Sequence, residues 1–230
     1  MNNDKIENLF LVTSVINISN NPFSYTNTRS VFTREERFEQ TKYTLQSIKD
    51  KITNVKIMLI ECSDLNEEET KYLKQNVDFF VNLYDTKDQE IIDKINSNSK
   101  SLGESQQTIC GFKYLFENNI MFERVFKISG RYYLNDMFNY ELFKNDFLNA
   151  RFDGINTTTC LYKLTYPTSQ EWYNFLLNST EDFINCIQYE YIFSNFLNKM
   201  VAENKYIVFD TKPLGVSGLC AVDGCLCEHV

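Results

Sequence analysis

Glycine, proline and histidine are scarce in this chain of 230 residues, which has seven glycines, three prolines and one histidine. No Pro/Gly/Ser-rich linker and no internal repeat divides it, so one domain over residues 1–230 is expected. Neither the Gly-x-Gly-x-x-Gly turn of a dinucleotide fold nor the Gly-x4-Gly-Lys-Ser/Thr of a P-loop occurs, which sets NAD enzymes and P-loop NTPases aside. The lone histidine, His229, is penultimate, so Ser-His-Asp or Cys-His catalysis would have to draw its base from a chain end. Basic excess is also lacking. With 23 Lys and Arg against 31 Asp and Glu, the formal net charge is -8, which argues against binding to nucleic-acid backbones and leaves room only for a local basic pocket. No apolar run approaches the ~20 residues of a membrane span. Residues 1–5 lack the n-region and h-region of a signal peptide, so a soluble protein of a reducing, cytoplasmic compartment is expected, with no integral membrane segment.

Apolar residues, by contrast, make up 43% of the chain and aromatics 15%, which excludes disorder as a class. Cysteines number seven, and several interrupt apolar runs as buried free thiols do. Cys225-x-Cys227 beside Cys220 and His229 has the residue types of a zinc site. The spacing is tighter than Cys-x2-Cys and no second ligand pair occurs, so no metal is expected there. The sequons at Asn17, Asn156 and Asn178 read as accidents of an Asn-rich composition.

Residues 9–18 form a continuous apolar run, the pattern of a strand buried on both faces in a parallel sheet. A long polar loop, 19–32, follows, and loops of this length in a compact domain are often functional. Thr33-Arg34-Glu35-Glu36 has capping-box form and opens a helix to about Lys51, with Phe38, Thr41, Leu45 and Ile48 on one face. Residues 55–61 make the second strand, completing a βαβ unit. The acidic first turn Glu67-Glu68-Glu69 suits a helix over 66–76. A third strand over 77–84, a polar segment over 87–99 and a helix over 106–118 come next. The back half predicts a short helix over 138–147, paired strands within 153–164, helices over 172–177 and 184–200, a late strand over 206–209 and a loop over 213–218.

Between the two halves lies the stretch 123–136. Val125-Phe126-Lys127-Ile128 is β-branched and aromatic, too short for a helix, and reads as a buried strand that stops at Ser129-Gly130. Arg131 and Tyr132 then stand where the backbone leaves the sheet, and ligands in open α/β sheets bind at such carboxyl ends. A glycine bend with a surface arginine is the plainer alternative.

Three segments carry a resemblance: Glu36-Arg37-Phe38-Glu39-Gln40-Thr41 after the polar loop, Lys100-Ser101-Leu102-Gly103-Glu104, and Lys127-Ile128-Ser129-Gly130-Arg131-Tyr132. In this order they resemble a group of small GT-A-type glycosyltransferases found in large DNA viruses, phages and bacteria, over most of residues 8–218. The resemblance implies an α/β, Rossmann-type mixed but mainly parallel sheet flanked by helices, with a helical and mixed carboxyl-terminal half. It further implies a nucleotide-sugar donor over the first strand ends, in residues 8–136, and a glycan, lipid or protein acceptor held by residues 137–230. Many such enzymes carry an Asp-x-Asp where this chain has Ser129-Gly130-Arg131, and no Asp-x-Asp occurs anywhere in it. Either Arg131 replaces the manganese or magnesium ion with a guanidinium fork on phosphate, or scattered carboxylates such as Asp136 or Asp223 hold the metal; the first is favoured on arginine's suitability as a phosphate clamp.

The donor candidates are Ser14 in the first strand, Tyr25 and Arg29 in the polar loop, Lys100, Ser101 and Gly103 ahead of an expected helix start, Glu104, and Ser129, Gly130, Arg131 and Tyr132. Backbone N-H groups at a helix start favour anions, and Glu104 suits ribose or sugar hydroxyls or, equally, the helix dipole. Arg37 ranks second, as a helix arginine is usually a surface or salt-bridge residue. An inverting transfer needs a carboxylate to take the acceptor proton. Glu190, flanked by Tyr189 and Tyr191, is the first choice, with Asp153, Glu181 and Asp182 as alternatives. Rival expectations are a non-catalytic nucleotide-sugar or glycan binding module of the same fold, and an S-adenosylmethionine methyltransferase, which would want a glycine-rich turn after Ile18.

Overall fold

A computed structural model describes residues 5–229. The leaderless start expected from residues 1–5 falls mostly on 1–4, outside the described residues. The first strand, β1 (Ile6–Ser14), is buried from Asn8 onward because its side chains feed two cores. Leu9 and Leu11 point to one face, with Met58, Phe112 and Trp172, while Phe10 and Val12 point to the other, with Phe38, Leu45 and Phe126. Covering both faces is what allows such an unbroken apolar run.

Helix α1 (Arg34–Lys51) starts at the expected capping box, with Thr33 Oγ1 accepting from the Glu36 amide and Glu36 reaching back to the Thr33 amide. It leads to β2 (Val55–Glu61), α2 (Glu67–Asn76) and β3 (Phe79–Asn82). The segment 87–99 contains a helix that the sequence pattern does not announce, α3 (Gln89–Ile95), followed directly by α4 (Lys100–Glu117). The chain then enters β4 (Phe122–Ser129) and a short β5 (Tyr132–Leu134). Strands β1, β2, β3 and β4 are all parallel, in the order β3-β2-β1-β4. Phe10 and Phe126, register partners on β1 and β4, stack at 4.6 Å.

The back half widens the same sheet. β6 (Leu148–Phe152) and β7 (Thr157–Thr165) form an antiparallel hairpin, and β7 docks antiparallel on β4. The helix expected over 138–147 is only a 3-10 turn at Tyr140–Phe143, and the paired strands expected inside 153–164 instead straddle a turn at 153–156. Helix α5 (Tyr166–Asn178) follows. A short α6 (Thr180–Ile184), which was not expected, comes next, and the helix expected over 184–200 starts only at Tyr189, as α7 (Tyr189–Ala202); between them Cys186 takes a φ of 61°. β8 (Val208–Asp210) completes a seven-stranded sheet, order β3-β2-β1-β4-β7-β6-β8. The loop expected at 213–218 includes β9 (Val216–Leu219), which pairs with β5 and with β10 (Leu226–His229) in a small second sheet. The architecture is a mixed α/β, mainly parallel sheet flanked by helices, a Rossmann-like arrangement. Among the described residues, no helix is long and apolar enough to cross a membrane.

Candidate functional site

After β3 the chain crosses back to place β4 on the other side of β1, so the β1/β4 boundary is the topological switch point of the sheet. Both strands end there side by side, and Gly130 donates its amide to the Thr13 carbonyl at 2.8 Å. A Cβ on Gly130 would lie 3.1 Å from Ser14 Cβ, so a residue without a side chain fits the junction. Ser14 Oγ and Thr41 Oγ1 are 3.1 Å apart, and Thr41 donates to the Gly130 carbonyl, which fixes α1 over the strand ends.

The backbone leaving β1 has no ladder partner, and buried side chains satisfy it. Arg37 Nε donates to the Val15 carbonyl at 2.7 Å, Glu61 Oε1 accepts from the Ile16 amide at 3.0 Å, and Ser63 Oγ accepts from the Asn17 amide at 2.8 Å. Gln107 Nε2, reaching from α4, donates to the Ser14 carbonyl at 2.6 Å. Glu61 is fully buried with Oε2 unpartnered, and burial raises its carboxyl pKa.

A cavity of about 140 Å³ opens over this junction. Ten of the eleven donor candidates line it: Ser14, Tyr25, Arg29, Lys100, Gly103, Glu104, Ser129, Gly130, Arg131 and Tyr132. Residues far apart in sequence are thus brought together from β1, the polar loop, α4 and the end of β4. Arg37 and Gln107 also face the cavity, as do Cys220, Ala221 and Val222 from the turn between β9 and β10. Arg131 donates Nη1 to the Leu219 carbonyl at 2.9 Å, which ties that turn to the strand end.

Its electrostatics set it apart from the acidic surface. Arg37 is buried, and burial, with Arg131 beside it, pulls its guanidinium down to about 9, so it remains a cation at neutral pH. Glu104 ion-pairs with Lys127, a β4 side chain with no exposure. Burial pushes the Glu104 carboxyl up, but Lys127, Lys100 and Arg131 outweigh it and hold the group below its ordinary value. The cavity wall therefore carries Arg37, Arg131 and Lys100 without a carboxylate dedicated to each.

Several candidates take places different from those expected. Lys100, Ser101 and Gly103 lie inside the first turn of α4, not ahead of it, because Ser99 is the N-cap and accepts from the Leu102 amide at 3.2 Å. Gly103 has a packing reason too, since a Cβ there would sit 2.8 Å from the Ile95 carbonyl oxygen. Ser101 is absent from the first cavity; its Oγ accepts from the Tyr189 amide at 3.0 Å and so caps the start of α7. Arg29 reaches the cavity edge, yet its guanidinium donates to four carbonyls, Asn21, Ile95, Asn96 and Ser97, and stacks on Phe23 at 4.6 Å. It fastens the polar loop to α3 and α4. Tyr25, 62% exposed, stacks on the same Phe23.

A second, larger cavity of about 700 Å³ adjoins the first through Tyr25 and Lys100. Ser101, Thr157, Gln188, Glu190 and Tyr191 line it. Glu190, in the first turn of α7, is partly buried and accepts from Thr159 Oγ1 at 3.0 Å. Thr157 Oγ1 is buried there without a partner. Asp153 lies in neither cavity: it accepts from the Ile155 and Asn156 amides in the β6–β7 turn, and the Asn156 amide first among these bonds lowers its pKa. Glu181 and Asp182 are exposed on α6.

The donor set at the strand end, hydroxyl, amide, guanidinium and a carboxylate already paired with lysine, does not fit a divalent cation. Neither carboxylate of the scattered-carboxylate alternative lines the cavity: Asp136 is fully exposed and pairs with Lys51 at 2.8 Å, and Asp223 accepts from the Cys225 amide. Among the described residues, no group of three or more His, Cys, Asp or Glu is placed to hold a metal ion.

Arg37, ranked second from the sequence, is also a cavity residue. It shares a helical stripe with Thr41 and Thr44, both buried, and it is a cation in the first turn of α1, where the dipole disfavours one. Those two features together are the signal.

No family model matches the sequence, and no curated protein is significantly similar to it. Solved structures do match. A nucleoside-diphosphate-sugar pyrophosphorylase from Vibrio cholerae RC9 superposes with a TM-score of 0.51 at 10% identity, covering 93% of this chain and 96% of that one. The likeness is one of fold. Mouse xyloside xylosyltransferase 1 in its apo form gives a TM-score of 0.46 at 11% identity, over 90% and 85% of the two chains.

Proposed function

We propose that the protein is a glycosyltransferase that binds a nucleotide sugar in the first cavity and transfers the sugar to a hydroxyl of a glycan, lipid or protein acceptor in the second. The observation that carries this reading is the convergence of Arg37, Arg131 and Lys100 on the switch point of the sheet, in a chain of net charge -8. Two neighbouring guanidiniums with one partly buried between protein walls form a receptor for a compact polyanion such as a diphosphate. As the bond from the anomeric carbon to phosphate oxygen breaks, negative charge grows on the leaving diphosphate, and fixed cations there stabilise it. The acceptor oxygen forms the new bond to that carbon, and Glu190 takes the acceptor proton. No step runs through a metal. Tyr25 stands where the two cavities meet, with its ring exposed to a base or a sugar. The donor side is built mainly from residues 8–136, with Cys220, Ala221 and Val222 added from the last turn, and the acceptor side mainly from residues 137–230, with Tyr25, Lys100 and Ser101 contributed from the front, in a single unit. The compartment that suits its free thiols is a reducing, cytoplasmic one.

The test is a melting-temperature screen with UDP, GDP, CMP and dTDP and with sugar conjugates of these, with manganese and with chelator. At least one ligand raises the melting temperature in chelator, and Arg131→Ala abolishes the shift. No shift from any ligand sinks the reading. Glu190→Gln keeps donor binding and loses transfer; a variant that keeps full function would mark a binding module in place of an enzyme. Release of pyrophosphate from a nucleoside triphosphate and a sugar 1-phosphate would point instead to nucleotidyl transfer.

A further inference from the structure

Lys127 has no exposed surface, yet it lies on a central strand of the sheet, and its Nζ reaches Glu104 on α4. An ammonium withdrawn from water needs a partner, and the Glu104 carboxylate supplies it. Glu104 itself is not sealed in: its side chain is 18% exposed and faces the first cavity. Oε1 takes the bond from Lys127, while Oε2 has no hydrogen-bond partner among the described residues and is not sealed from solvent. A carboxylate held from behind by a buried cation, with its second oxygen free at a cavity wall, is an acceptor for ligand O-H groups. Behind the pair, the Lys127 ammonium sits 5.5 Å from the centre of the Tyr189 ring, and the Tyr189 hydroxyl continues to Tyr162 at 3.1 Å and, through it, to Trp172. This buried network keeps the ammonium from turning elsewhere.

Resting on the donor-cavity reading above, we propose that Lys127 is a positioning residue that keeps Glu104 ionised and turned to the cavity, where Glu104 accepts hydrogen bonds from a pair of hydroxyls on the bound ligand's ribose or sugar. The charged groups facing Glu104 are Lys127 from β4, Lys100 from α4 and Arg131 beyond β4. The neighbouring titratable groups are Tyr132, Cys160, Tyr162 and Tyr189, and burial raises all four, with Cys160 pushed up to about 12. None of these four changes charge near neutral pH, and Lys163, which burial pulls down to about 7, lies on the opposite face of the sheet, so the titration that matters is the one read at the Glu104 carboxyl carbon itself.

The experiment compares the wild type with Lys127→Met, Glu104→Gln and the double variant. Two readouts are used. The first needs no ligand: the side-chain carboxyl carbon of Glu104 is followed by NMR against pH. It titrates below the ordinary glutamate range in the wild type and moves upward in Lys127→Met. Equal titration in the two proteins overturns the proposal. Should Lys127→Met fail to fold, an ordinary Glu104 titration in the wild type has the same force, and the double variant, which leaves no unpaired charge, replaces it in the second readout. There, affinity for UDP, 2′-deoxy-UDP and UDP-glucose, or the corresponding set of whichever base binds, is measured from pH 5.5 to 8.5. With UDP-glucose, whose diphosphate does not titrate in this range, Lys127→Met acquires a loss of affinity towards low pH that the wild type lacks, and the double variant binds roughly tenfold more weakly with a flat profile. UDP and 2′-deoxy-UDP, whose terminal phosphate titrates at about 6, are compared at the upper end of the range alone. A Lys127→Met profile like that of the wild type, or a double variant of wild-type affinity, overturns the proposal. If the tenfold loss disappears for the 2′-deoxy ligand the hydroxyls are those of ribose, and if it arises only with the sugar conjugate they are those of the sugar. Failure of every nucleotide to bind the wild type removes the donor-cavity reading instead, while the NMR titration still decides whether Lys127 holds Glu104 ionised.

Discussion

Two lysines, one residue apart in register on the adjacent strands β4 and β7, are both fully buried, and they are satisfied in opposite ways. Lys127 faces the carboxyl ends of the parallel strands and meets a carboxylate that is open to a cavity. Lys163 faces the other way. Its ammonium donates to the Asn145 carbonyl and the Phe147 carbonyl, each at 2.7 Å, and to Asn145 Oδ1 at 3.1 Å, all within the turn before β6. Neutral oxygens compensate a charge less than a carboxylate does, and burial, followed by the nearby Arg124, pulls Lys163 down to about 7. One buried charge thus closes a turn and has no outlet to ligand, while the other leaves half of its partner available for chemistry. Burial of a lysine does not by itself mark a site; the identity and exposure of its partner does.

The comparison breaks most visibly in stability. Lys163→Met leaves the Asn145 and Phe147 carbonyls unpartnered and lowers stability by about 2–4 kcal/mol in urea denaturation, with nucleotide affinity unchanged. A loss of affinity in this variant would erase the distinction between the two lysines.

The pH dependence sharpens it. Because the folded Lys163 binds its proton less tightly than the ordinary value of 10.5, the unfolded chain carries a proton that the folded chain lacks between about 7 and 10.5. Stability therefore rises with pH across that window, by at most about 1.4 kcal/mol per pH unit, and Lys163→Met flattens the rise relative to the wild type. Denaturation midpoints at pH 7, 8 and 9 in both proteins measure it, and parallel curves would refute it.

A smaller effect concerns the cavity end alone. Ser99→Ala removes the cap of the α4 turn that presents Lys100 and Glu104, along with a 2.6 Å bond to the Phe183 carbonyl. It lowers stability by about 1 kcal/mol and also weakens nucleotide binding, which Lys163→Met does not. The smallest expected effect is that of Asp136→Asn: a fully exposed carboxylate away from the strand end leaves nucleotide binding the same in manganese and in chelator.

The front of the fold was legible because its signals are local. The capping residues Thr33 and Asn66 and the apolar run at Val55–Glu61 state their own boundaries. Strands β5, β9 and β10 have three or four residues each, too short for their own pattern to announce them, and exist through partners distant in sequence, as β5 does with β9. Helix α4 starts earlier than expected because Gly103, which reads as a breaker, answers to the close approach of the Ile95 carbonyl. In the site, residues at strand ends could be named in advance because a strand end is itself a position in the fold. The turn at 220–222 could not, and Arg37 could only be ranked second, since what directs them, the Arg131 bond to the Leu219 carbonyl for the turn and the Val15 carbonyl for Arg37, is tertiary.

That turn has a further implication. The seven-stranded sheet is complete once β8 has formed, at Asp210, yet the cavity still lacks a wall until Cys220, Ala221 and Val222 fold back and Val31 donates its amide to the Ala221 carbonyl at 2.8 Å. The strands of the large sheet therefore all precede, along the chain, the residues that close the pocket. A chain ending after β8 would keep the strands of the large sheet but lose this wall together with the buried core residues Leu214 and Val216, so closing the pocket and completing one core are the same folding event.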